Sequence, residues 1–104
     1  MKTLFPATLT LAVFASINVA HASTDVSKAS GCYSCHAKDE KVVGPSFKSI
    51  ANKYASESDA VASLAQSIQN GSRGKWGRVP MPPHASLGGE DLRTLSRWVL
   101  TFKD

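Results

Sequence analysis

Two cysteines in 104 residues, only three positions apart, are too few to staple a small fold as a disulfide framework does. An excess of one charge sign is also lacking. Twelve Lys and Arg against eight Asp and Glu leave +4, too thin and scattered for a nucleic-acid surface, and no RNA- or DNA-binding signature occurs. Nowhere do apolar and polar residues alternate with period two, so there is no candidate strand. Internal repeats and low-complexity stretches are absent as well. What is present is globular: 42% hydrophobic and 19% charged residues, in a length that allows one small domain.

The one long apolar run, Leu4 to Ala20, follows Lys2 and ends in Ala20-His21-Ala22, the small-x-small pattern of a secretory signal. A retained membrane anchor is the alternative, but Pro6, Thr8, Thr10, Ser16 and Asn18 dilute the run, which is short for a bilayer span. The expectation is a cleaved signal peptide over residues 1–22 and a domain over residues 23–104, exported to the periplasm. The remaining 82 residues, Ser23 to Asp104, bury too little of their own surface to be comfortably stable. Something else should supply part of the core.

The domain reads as all-α. Thr24-Asp25-Val26 starts a short helix that stops at Gly31, just before Cys32. Pro45 in a first turn, followed by Phe47, Ile50, Ala51 and Tyr54, predicts a second short helix. Ser56 as N-cap, with Asp59 three residues on, opens a third, in which Val61, Leu64, Ala65 and Ile68 recur with helical spacing up to Asn70-Gly71. A last helix begins near Gly89, with Glu90 and Asp91 in its first turn and an inner stripe of Leu92, Leu95, Val99 and Phe102, flanked by Trp98. Between the last two helices lie the eighteen residues Gly71 to Gly88, rich in Gly and Pro and without periodicity. Such a loop is rare in a compact domain and needs an object to wrap.

Cys32-Tyr33-Ser34-Cys35-His36 is a C-x-x-C-H run, the spacing of c-type haem attachment. Positions i, i+3 and i+4 share one face of a helical turn, so two thiols can join two vinyl groups of one porphyrin while the imidazole reaches the iron. Three other readings compete. A dithiol redox site is one, although such sites sit at strand–helix junctions that this chain lacks. A zinc site forced from Cys32, Cys35, His36 and His84 is another. A chance match in a structural loop is the third.

With Met1 removed, Met81 is the one methionine left, in Val79-Pro80-Met81-Pro82-Pro83. The prolines hold the backbone around it extended, so its thioether sits on a stiff strap, as an axial ligand should. Filling a core gap is the ordinary use of methionine, but that does not call for prolines on both sides.

These motifs, together with Val43-Gly44-Pro45, Asn70-Gly71-Ser72, Lys75-Trp76-Gly77 and Trp98-Val99-Leu100, resemble the short bacterial class I cytochromes c of the c-551/c-552 type over essentially all of Ser23 to Asp104. The resemblance implies a small class I cytochrome c fold of about four to five helices around one covalent haem c. It implies thioethers at Cys32 and Cys35 and axial iron ligands His36 and Met81. The Pro45 carbonyl would accept the outer ring N–H of His36, and Trp76 would meet a haem propionate. The family commonly has a basic residue where Ser67 stands, so Arg73, Lys75 or Arg78 would take over that contact. Where His84 stands the family usually has Asn, which can donate toward the methionine sulfur; an imidazole could do likewise.

The implied function is an electron carrier rather than an enzyme, with no catalytic residue, since both axial positions are filled. A haem protein with a labile sixth site, peroxidase-like or a sensor, is the alternative. Expected partners are redox proteins, such as a cytochrome-reducing complex and a terminal oxidase, nitrite reductase or peroxidase, met by a monomer with a mildly positive surface. No nucleic acid and no lasting membrane insertion are expected.

Overall fold

A computed structural model describes residues 3, 25–28 and 30–104. The signal segment expected over residues 1–22 lies outside the described residues apart from Thr3. Among the described residues, no helix is long and apolar enough to cross a membrane.

Residues 25–28 are helical, and the chain then turns at Gly31 (φ 76°) into a 3-10 helix, Cys32–Ser34. Three α-helices follow: α1 Phe47–Tyr54, α2 Ala60–Asn70 and α3 Gly89–Leu100. The last packs against both of the others. Pairing outside helices is confined, among the described residues, to two isolated antiparallel bridges, His36 with Lys41 and Ser72 with Met81. The all-α reading therefore stands.

Two helix starts differ from the sequence expectation. α1 is capped by Ser46, whose Oγ accepts from the Ser49 N–H at 3.0 Å, so Pro45 stands outside the first turn. α2 begins at Ala60, not after Ser56. The chain leaving α1 first closes a turn, with Glu57 N–H donating to Tyr54 O at 3.1 Å, and Asp59 takes the N-cap position without a side-chain bond. α3 starts at Gly89 as expected, with Glu90 and Asp91 in its first turn and Arg97 in its last.

The core runs along the inner stripe of α3. Leu95 is 1% exposed, and Trp98 and Val99 are buried with it against Phe47, Ile50 and Tyr54 of α1 and Leu64 of α2; Leu92 is buried outside this cluster. Phe47 is its aromatic hub. Its ring lies 5.0 Å from Trp98, 5.4 Å from Phe102 and 5.5 Å from Tyr33, centroid to centroid, which ties the C-terminal helix to the C-x-x-C-H turn. The C-terminus is clamped to α1: Asp104 pairs with Lys48 at 2.6 Å and exchanges two hydrogen bonds with Asn52.

Candidate functional site

Between the helices and the long loop lies one cleft of about 1050 Å³, its open mouth included. Its wall contains all six residues singled out from the sequence: Cys32, Cys35, His36, Pro45, Trp76 and Met81.

The first four are placed by the chain from Gly31 to Ser46. The 3-10 turn carries Cys32, and a single bond of α-helical span, His36 N–H to Cys32 O at 3.0 Å, continues it. The motif is thus a tightened turn rather than a full α-helical one. Both cysteines are unpaired and half-buried. Burial pushes the Cys32 thiol up, the reverse of the depressed value that activates a redox dithiol. A zinc site finds no support either: among the described residues no three His, Cys, Asp or Glu side chains converge as ligands.

His36 is buried, 8% exposed, and stacked against Phe47 at 5.4 Å. Its Nδ1 lies 2.6 Å from the Pro45 carbonyl oxygen. A carbonyl can only accept, so the hydrogen is on Nδ1, and the lone pair of Nε2 is left for a metal. The chain reaches this geometry by folding back on itself, with Gly44 N–H donating to Cys35 O at 2.8 Å and Phe47 N–H to Ala37 O at 2.9 Å. Gly44 is then packed onto the imidazole: a Cβ there would stand 2.7 Å from Cε1 and 3.0 Å from Nδ1 of His36. Gly44→Ala should therefore displace the ring and strain its bond to Pro45. The expected cost is about 1–3 kcal/mol in chemical unfolding of the haem-loaded protein. An unchanged midpoint would show that the ring is not held there.

Met81 is placed by the loop. Its backbone exchanges two hydrogen bonds with Ser72, at 2.9 and 3.1 Å, which closes the segment between them into a strap. Gly71, at φ 75°, permits this: a Cβ there would meet Met81 O at 2.5 Å. Beyond the strap, His84 N–H donates to Ile68 O at 2.9 Å and ties the loop back to α2. The imidazole of His84 has no hydrogen-bond partner among the described residues, and His84 does not line the cleft.

The rest of the wall is largely apolar. Phe47, Ile50, Leu64, Ile68 and Val99 line it. Leu92, in the first turn of α3, does not; it is buried beside Val61 and Ala65. Tyr54, Leu95 and Trp98 face the cleft in addition. The last two belong to the α3 stripe, whose periodicity marked them as core without telling which object they would pack on. Trp76 is half-buried on the wall with the Lys53 ammonium 4.5 Å from its ring centroid. Of the three basic residues considered for the Ser67 position, Lys75 alone lines the cleft, and its Nζ donates to Ser67 Oγ at 2.9 Å.

A largely apolar cleft holding two thiols, one imidazole with its tautomer fixed and one strapped thioether suits haem c: covalent anchors, a nitrogen ligand, a soft sulfur ligand and dry walls. The comparisons agree. The cytochrome c family matches residues 22–103. Cytochrome c-552 of Nitrosomonas europaea is 41% identical over 103 residues, covering 99% of this chain and all of that protein. Cytochrome c-551 of Pseudomonas aeruginosa is 50% identical over 76 residues, covering 73% of this chain and 72% of its own. The crystal structure of wild-type Nitrosomonas europaea cytochrome c552 superposes with a TM-score of 0.75 at 45% identity, covering 77% of this chain and 99% of that one.

Proposed function

The chain belongs to the cytochrome c family and holds one covalent haem c, and from that premise we propose that it shuttles single electrons in the periplasm with His36 and Met81 as axial iron ligands. The observation that carries the reading is the meeting of both thiols, His36 and Met81 on the wall of one cleft. Bound there, the haem supplies a reversible one-electron couple at its iron.

The residues set the properties of that couple. The Pro45 carbonyl, accepting from Nδ1, orients the His36 ring and makes Nε2 a stronger donor. The soft thioether of Met81 favours the ferrous state. Phe47, Ile50, Leu64, Leu95 and Val99 withhold solvation from the more highly charged ferric state, which also raises the potential. Ser72 and Gly71 hold the strap so that its ligand need not move between oxidation states, which keeps reorganisation small. With His36 and Met81 both holding the iron, no coordination site would be left for a substrate.

The chain is exported under a signal over residues 1–22, which is then cleaved, and works as a monomer. Its net charge of +4, +3 without Lys2, favours brief, salt-sensitive docking on redox proteins: a cytochrome-reducing complex on one side, and a terminal oxidase, nitrite reductase or peroxidase on the other. Voltammetry of the purified protein, repeated under carbon monoxide, tests the carrier reading against a labile sixth site. A reversible one-electron wave and a ferrous spectrum unchanged by the gas are expected. Rapid carbon monoxide binding would replace the carrier with a sensor or peroxidase-like protein.

A further inference from the structure

Lys75 is the one Lys, Arg, Asp or Glu side chain on the cleft wall. An exposed lysine ordinarily extends into water; this one turns back eight residues along the chain to the half-buried Ser67 hydroxyl. Ser72 and Trp76 also line the cleft, so residues bearing two hydroxyls, an indole N–H and an ammonium lie within one ten-residue stretch of a largely apolar wall. Lys53 stands behind the indole as a second cation. Neither cation is spoken for: among the described residues the one ion pair is Lys48 with Asp104. A haem c brings two carboxylates into this cleft, and an apolar wall cannot solvate them.

We propose that Lys75, aimed by Ser67, is the cationic partner of a haem carboxylate, an inference that rests on the haem reading above. The ammonium has three donors, so it can keep Ser67 and take a carboxylate oxygen at the same time. Arg73 and Arg78 are exposed and do not line the cleft. The other titratable groups on its wall are His36, Tyr54 and the two thiols that the haem would occupy, and none of them is a fixed cation. A carboxylate paired with Lys75 stays ionised to lower pH, and the cation favours the ferrous state.

The experiment follows the midpoint potential of the haem-loaded protein from about pH 4 to pH 9, for wild type, Lys75→Gln, Lys75→Arg, Ser67→Ala and Lys53→Gln. The mass of each denatured protein is taken first; a wild type without covalent haem would overturn the haem reading and this inference with it, whereas the pH curves bear on this inference alone. Lys75→Gln should move the inflection up by about one pH unit, a tenfold rise in the carboxylate's proton affinity, and lower the potential above the inflection. Lys75→Arg should restore the wild-type curve, and Ser67→Ala should shift it in the Lys75→Gln direction by less. A Lys75→Gln curve that superimposes on wild type overturns the assignment. So does a shift produced by Lys53→Gln and not by Lys75→Gln.

Discussion

A chain carrying Cys32→Ala and Cys35→Ala, made without haem, should show little helix by circular dichroism and no cooperative thermal transition. Among the described residues, seven of the ten buried apolar ones, Phe47, Ile50, Tyr54, Leu64, Leu95, Trp98 and Val99, also line the cleft. Their other side packs on whatever fills it. Full burial of such a side chain is worth about 1.5–3 kcal/mol. Water in place of the haem would withdraw part of that from each of the seven, against about 5–15 kcal/mol for the whole stability of a folded domain. The strap makes the loss larger, since the Ser72 and Met81 pairing has few apolar contacts of its own on the outer side: Val79, Pro80 and Pro82 are exposed. Native helix content and a sharp melt in the haem-free protein would show that the helices form a sufficient core alone.

Met81→Ala should lower the midpoint potential on the order of 100 mV or more, a modest part of the roughly 0.8 V that axial ligands command. The substitution removes the sulfur but not the strap, because the two bonds to Ser72 and the tie from His84 to Ile68 are made by backbone atoms. Attachment through Cys32 and Cys35 is untouched. With His36 as the other proposed ligand, an open or water-filled position would be left, so the ferrous protein should also begin to bind carbon monoxide. Potential titration and the optical spectrum check both consequences. A potential and spectrum equal to wild type would mean that another side chain holds the sixth position.

The features that bring the proposed ligands to one cleft were legible because they depend on spacing. C-x-x-C-H sets three groups on one turn, Pro-Met-Pro-Pro stiffens a strap, and the α3 stripe repeats with helical period through Leu92, Leu95 and Val99. What escaped was decided by through-space packing. Ser56 is as good a cap as Ser46 by residue type, but the turn from Tyr54 to Glu57 delays α2 until Ala60. Gly44 looks like an ordinary turn glycine until the His36 ring is found against it. Leu92, Leu95 and Val99 share one stripe, yet only the last two reach the cleft, a difference of position along the helix that an apolar pattern does not resolve. The bond from Lys75 to Ser67 joins two elements separated by the end of α2, so neither residue marks the other along the chain.

The far-red absorption of the ferric protein tests the ligand assignment most directly. A haem held by His36 and Met81 should show the weak sulfur-to-iron charge-transfer band in wild type, lose it in Met81→Ala and keep it in His84→Asn. A wild-type protein that carries its covalent haem but lacks the band would contradict the assignment of Met81, and with it the account of the strap.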